Sequence, residues 1–265
     1  ANHQISRKHS STPIKQSYKP LPLDVCGKNT IDQSLRLILL GAPGSGKGSY
    51  GKYLSYYYDI PIISTGDLLR SEVKQNNPLG QKISPLMQRG ELIPDELLLD
   101  MTLNYIAENT TKRGYILDGF PRTLSQAKLL QKNDKVLPPN RVLYLNLPFE
   151  VIVEKTLARH ACGDCGRNYN LAHIDLPEHG ILMPAVSPVH PEGKCDDCEG
   201  DLIQRLDDTE ETILRRLQVY QQSTESLIVF YEKEHIVTKW DIKRGFEDVP
   251  SMIQTLDRSL SKNDV

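Results

Sequence analysis

Little in this chain would suit a membrane. The longest apolar run of its N-terminal half, Leu35 to Ala42, is broken by Arg36; a spanning helix needs roughly 20 apolar residues. An excess of one charge is missing too. Thirty-two Lys and Arg stand against 34 Asp and Glu, a formal net charge of −2, so the balance points to no nucleic acid and no membrane surface as partner. Cysteine is scarce: five in 265 residues exclude a disulfide-built scaffold. No internal repeat is visible, so a repeat architecture is not expected. What is present, 38% hydrophobic and 25% charged residues, is ordinary for a soluble globular chain with one sizeable core and room for inserted subdomains. A soluble monomer is expected.

Acidic residues are absent from the first 23 positions, which carry Arg7, Lys8, Lys15 and Lys19 among several Ser, Thr and Pro. This composition resembles the remains of an organellar transit peptide. A basic tail with no targeting meaning would look the same. Residues 1–34 are read as a flexible leader, with a mitochondrion or plastid as the expected compartment and the cytoplasm otherwise. The lone Cys26 lies within it.

Beyond the leader, short apolar runs alternate with helical patterns. Strands are expected at Leu35–Leu40, Ile60–Ile63, Tyr115–Leu117, Arg141–Leu147 and Ile236–Ile242. Helices are expected at Gly48–Tyr58, Ser125–Lys132, Phe149–His160 and Thr209–Glu234. That rhythm predicts an α/β fold with a parallel sheet. Residues 67–112 interrupt it with mostly helical sequence. Residues 162–204 interrupt it with four cysteines, four prolines and little helical periodicity.

The first strand runs into Gly41-Ala-Pro-Gly44-Ser45-Gly46-Lys47-Gly48-Ser49. The glycines let the backbone curl so that its N–H groups face phosphate oxygens. The following helix adds its positive end, and Lys47 can reach the outer phosphates. The hydroxyl that usually follows the Lys and meets the metal arrives one residue late, at Ser49. Asp118 ends another strand. At the carboxyl end of a parallel sheet it can hold Mg²⁺ or its waters. A ligand-free turn at either place is the plain alternative. Arg70, Arg122, Arg159, Arg205 and Arg216 come from separate parts of the chain. Each alone would be a surface cation, but phosphoryl transfer between two nucleotides needs such a set.

Cys162-Gly-Asp-Cys165 and Cys195-Asp-Asp-Cys198 are two hooks separated by 29 residues. Paired Cys-x-x-Cys hooks point to a structural, four-thiolate zinc; a pair of disulfides or a redox site is the alternative. His173, His179 and His190 share the loop and are expected at the surface.

In order and spacing, GAPGSGKGS, ISTGDLLR, DGFPRTLSQA, LARHAC and QRLDDTEETILRRL resemble the adenylate kinases over about residues 35–250. The cysteine-bearing segment resembles the long lid of plant organellar relatives. The resemblance implies a P-loop NTPase fold with a five-stranded parallel sheet flanked by helices. The core would span 35–63, 94–158 and 206–265, with an AMP-binding insertion at 64–93 and a lid at 159–205. The implied reaction is reversible, Mg-assisted ATP + AMP = 2 ADP. Catalytic roles fall to Lys47, Arg122, Arg159, Arg205 and Arg216. The donor would lie on Gly44 to Ser49, Lys155, Arg159 and Arg244. AMP would lie on Thr65, Arg70, Met87, Glu91, Leu92, Ile93, Gly119, Arg122, Gln126, Arg205 and Arg216, with Gln126 reading the adenine. Asp207 and Asp208 would organise the lid hinge.

One departure affects the donor. The family's usual arginine over the donor purine is Lys155 here, and lysine is a poorer stacker. GTP therefore stays beside ATP as the donor. A uridylate or cytidylate kinase and a non-catalytic nucleotide switch with a zinc ribbon remain the further alternatives.

Overall fold

The computed structural model describes residues 34–91, 93–109, 113–190 and 193–261, with Glu225 described for its backbone only. The expected leader, apart from Ser34, lies outside these residues. So do Cys26 and Leu92.

The first strand, β1 (Leu35–Gly41), is apolar without alternation because helices cover both of its faces. Leu35, Leu37 and Leu39 join one buried cluster, and Ile38 and Leu40 join the other. The exception, Arg36, sends its Nε to the Pro138 carbonyl at 2.6 Å. The strand leads into α1 (Lys47–Tyr58), β2 (Ile62–Ser64), α2 (Thr65–Gln75), α3 (Pro78–Gln88) and α4 (Asp95–Asn109). Then come β3 (Gly114–Asp118), α5 (Leu124–Lys132), β4 (Arg141–Asn146) and α6 (Phe149–Leu157). After an insertion, α7 (Glu210–Lys233), β10 (Val237–Asp241) and α8 (Val249–Ser261) complete the core.

The five core strands form one sheet in the order β10-β4-β1-β3-β2, and every pairing is parallel. This is the five-stranded P-loop NTPase architecture the resemblance implies. The central strand β1 has β4 on one side and β3 on the other. Ligands in such sheets bind outside the carboxyl ends of the strands, where the order reverses; here that is the loop after β1.

Two boundaries differ from expectation by more than one residue. The second strand starts at Ile62, because Ile60 is the buried residue just past α1, with its N–H held by the Ser55 carbonyl. The helix expected to reach His160 stops at Leu157. From Arg159 the backbone instead pairs antiparallel with Asn168–Asn170, a tertiary pairing that overrides the helical pattern.

The insertion contains β5 (Arg159–Cys162), β6 (Asn168–Asn170), β7 (Ile174–Leu176), β8 (Ile181–Met183) and β9 (Leu202–Ile203). Strands β6, β5 and β9 form a small sheet that carries the cysteines, and β7 and β8 form a hairpin. The cysteine part is a knuckle with little core of its own, its buried cluster being Cys162, Tyr169 and Cys195 with Leu202 against it. In the hairpin, Ile174, Ile181 and Met183 are buried in the main cluster together with Ile242, Val249 and Met252. Leu182 N–H also donates to the Lys243 carbonyl at 2.9 Å.

Candidate active site

A cavity of about 980 Å³ opens at the carboxyl end of β1, bounded by the phosphate loop, α2, the β3–α5 turn, α6 and the insertion. The loop is tightly seated. Gly44 has φ +89°, and a Cβ there would stand 2.2 Å from Thr156 Oγ1 on α6. Only glycine fits both the backbone and the space. Gly44, Gly46, Lys47, Gly48 and Ser49 line the cavity, while Ser45 turns inward and is 1% exposed.

Lys47 Nζ donates to the carbonyls of Gly41 and Ala42, at 2.8 Å each. Burial lowers its pKa to about 8, against the pull of Asp118. The same burial raises the Asp118 carboxyl, which Lys47 partly offsets. Asp118 lies in register with Leu39, and a Cβ on Gly48 would be 3.2 Å from its Oδ2. The absent side chain at Gly48 therefore leaves the carboxylate room beside the loop, and Ser49, the hydroxyl the motif supplies one residue late, is on the cavity lining.

On the side of the arm, the α2–α3 segment between β2 and α4, Ser64 caps α2 by accepting from Asp67 N–H at 3.3 Å. Arg70 pairs with Asp67 at 2.5 Å. Met87, Gly90, Glu91 and Ile93 line the wall, and Glu91 accepts from Arg89 and Arg215. Gly119, Pro121 and Arg122 line the floor. Thr65 is buried and turned to the sheet, its Oγ1 donating to the Asp118 carbonyl at 3.3 Å. Gln126 is also behind the wall. It is fully buried, with Oε1 accepting from Arg122 N–H at 2.6 Å and Nε2 donating to Asp95 Oδ1 at 2.7 Å. Both ends of this amide are committed within the protein.

From the insertion side, Arg159 makes a two-pronged pair with the buried Asp208, at 2.8 and 2.5 Å. Arg216 pairs with Asp207 at 2.6 Å and reaches the Met87 carbonyl at 3.3 Å. Arg205 faces the same space, its pKa lowered to about 10 by burial and by the neighbouring charge of Arg159. Burial also lowers Arg122. Among the described residues, Lys47, Arg122 and Arg205 have no carboxylate within ion-pair distance, whereas Arg70, Arg159 and Arg216 do. Asp118 acts on Lys47 and Arg122 from further off, and Asp67 and Asp208 on Arg205, but cations crowded into one buried cavity without ion pairs of their own cost free energy that an incoming anion would relieve.

At the end of the cavity beyond the phosphate loop, Lys155 Nζ rests 3.7 Å from Met183 Sδ. Arg244 is more exposed, its Nε 3.7 Å from Asp248. Asn168 also lines this cavity, with Oδ1 buried and lacking a hydrogen-bond partner.

The four hook cysteines form one cluster, with all Sγ atoms within 4.8 Å of one another. The short approaches cross between hooks: Cys162 to Cys198 at 3.4 Å, and Cys165 to Cys195 at 3.5 Å. All four are free thiols, far from the 2.0 Å of a disulfide. A tetrahedral zinc with bonds of about 2.3 Å spaces its sulfurs roughly 3.8 Å apart, so the set fits that ion. The Tyr169 hydroxyl and the Asp197 N–H both donate to Cys195 Sγ. Such outer partners orient metal ligands. None of His173, His179 and His190 joins the cluster.

Residues 39–236 match the family model described as adenylate kinase. The chain belongs to the adenylate kinase family. Adenylate kinase of Thermodesulfovibrio yellowstonii is 44% identical over 77% of this chain and 89% of its own length. That of Caldicellulosiruptor bescii is 40% identical over 85% and 99%, and that of Thermotoga petrophila is 41% identical over 80% and 92%. As a member of this family the chain is a phosphotransferase that handles nucleotides.

For an adenylate kinase, the cavity gathers most of the residues the motifs nominate. Ser45, Thr65 and Gln126 are the described exceptions, set behind its surface. Several lining residues carried no sequence signal. Met183 and Asn168 lie in the irregular insertion, and Lys52 is a lysine on α1 beyond the end of the phosphate-loop motif. Asp67 could have been found, since it sits within the quoted ISTGDLLR motif.

Proposed function

We propose that this enzyme catalyses reversible in-line phosphoryl transfer, ATP + AMP = 2 ADP. The observation that carries the reading is the trio of Lys47, Arg122 and Arg205, cations without ion pairs, set between the phosphate loop and the arm. Two phosphate chains meeting end to end would supply the missing negative charge. Lys47 and the loop amides would hold the donor's outer phosphates, Arg122 and Arg70 the acceptor phosphate, and Arg159, Arg205 and Arg216 the charge that spreads over the transferred group. The attacking oxygen of AMP is already anionic, so no general base is required. Mg²⁺ bound with the donor phosphates would supply charge neutralisation, and Asp118 would hold the ion or its waters. A zinc in the knuckle would be structural, because four thiolates leave no open position.

GTP as donor is a second reading, favoured by Lys155. An ammonium offers only donors, and the O6 and N7 of guanine both accept. A coupled assay of ADP formation decides, with ATP or GTP as donor and AMP, CMP or UMP as acceptor. ATP with AMP should give the highest kcat/KM. A preference for CMP or UMP, or no transfer at all, would overturn the reading. The basic leader supports an organellar enzyme, which import of the full chain into isolated mitochondria or plastids would test.

A further inference from the structure

Lys52 belongs to none of the phosphate-binding motifs, yet it sits where three parts of the molecule meet. It lies on α1, five residues after Lys47, and its side chain lines the cavity. Its ammonium donates to the Gly166 carbonyl at 3.3 Å, and Gly166 follows the hook residue Cys165. Burial lowers the Lys52 pKa. Among its charged neighbours, Asp67 on the arm and Cys165 and Asp197 on the knuckle raise that pKa, while Arg205 lowers it. Asp67 in turn feels Arg205 from the lid, after its own Arg70. One ammonium on the core helix thus holds the knuckle at Gly166 and shares the cavity wall with Asp67 of the arm.

We propose that Lys52 is a closure clasp: it joins α1 to the knuckle at Gly166, opposite Asp67 of the arm, and so holds the lid shut over both nucleotides. The inference rests on the nucleotide-kinase reading above. The Gly166 contact exists only while the knuckle lies against α1, so it stabilises the closed state alone. An apparent affinity scales inversely with the fraction of enzyme in the binding-competent state. Weakening the clasp therefore raises the apparent constants for donor and acceptor together. A side chain that grips one nucleotide would raise only one of them. Lys52 would be a positioning residue, since the atoms it holds belong to the protein.

The test is steady-state kinetics on the full chain, varying ATP at saturating AMP and then the reverse. Lys52→Met should raise both KM values by a similar factor, roughly three- to tenfold for a hydrogen bond of ordinary strength, with kcat not reduced. Lys52→Arg keeps a cationic donor and should stay near wild type. KM does not depend on how much of a sample is folded, so partial unfolding cannot imitate this result. Unchanged KM values, a rise confined to one nucleotide, or a fall in kcat alone would each overturn the clasp. Absence of transfer by the wild-type enzyme would instead overturn the function proposed above.

Discussion

The two halves of the insertion between Arg159 and Arg205 are held in place by different physics. The β7–β8 hairpin is stabilised by water exclusion: Ile174, Ile181 and Met183 are 2–3% exposed and share one cluster with the main sheet and α8. The knuckle has three buried residues of its own, two of them cysteines. Its order comes from four converging sulfurs and from polar ties, including Arg167 to Asp196 at 3.4 Å and to Asp197. A long lid thus divides into a part that belongs energetically to the core and a part that needs a ligand to hold its shape.

A change that touches neither half sets the scale. Lys47→Met should lower kcat by about 10²–10³, the cost of losing one preorganised charge at the transferred group. The fold should survive, since this buried ammonium is no structural ion pair. Near-normal turnover would remove the phosphate loop from the chemistry.

The hairpin half is broken by Ile181→Ala. A cavity in a shared core should cost about 2–4 kcal/mol of global stability, read as a lower denaturant midpoint for the whole chain. If only the insertion loosened, the hairpin would not be part of the core.

The knuckle half is broken by Cys195→Ser with Cys198→Ser, or by a strong chelator. Amide protection should be lost around residues 162–168 and 193–203 while the five-stranded sheet keeps its protection. Turnover should fall less than in the Lys47 variant, because a loosened lid still closes part of the time. Metal analysis gives the companion result: one zinc per chain in wild type, none in the variant. A global stability loss matching that of Ile181→Ala would erase the distinction between the halves.

The smallest effect is a pH profile. Lys47 titrates near 8 in the folded, nucleotide-free enzyme and near 10.5 when unfolded. Below pH 8 both states carry the proton, so the cost of burying the charge is felt in full. Between about 8 and 10.5 the unfolded chain binds more protons, so this group's contribution to stability improves as pH rises. Activity should move the other way. The kcat/KM should decline above about pH 8 as the free enzyme loses its ammonium. A flat profile from pH 7 to 9.5 would show that Lys47 stays protonated there.

The main sheet was legible because parallel strands covered on both faces leave uninterrupted apolar runs such as Leu37–Leu40. The phosphate loop was legible because its chemistry demands glycines at fixed spacing, and Asp118 because it closes such a run. The arginines gained meaning from the motifs around them. The end of α6 was hidden, because its helical pattern continues into residues that find a partner strand elsewhere. The hairpin was hidden for a related reason. Ile174, Ile181 and Met183 lie among prolines and histidines, and only the fold brings them to Ile242 and Val249. The side-chain direction of Gln126 depends on Asp95, 31 positions away, and nothing local announces it.

The missing side chain at Gly44 has a consequence for portability. With 2.2 Å between its would-be Cβ and Thr156, the loop is moulded against α6 as much as it is encoded by its own residues. A designer who lifted residues 41–49 as a phosphate-binding cassette would carry away only half of the mould. The other half, Ile152 and Thr156, lies more than a hundred positions downstream on the helix that also bears Lys155. The transferable unit is a loop together with its backing helix, drawn from two distant stretches of one chain.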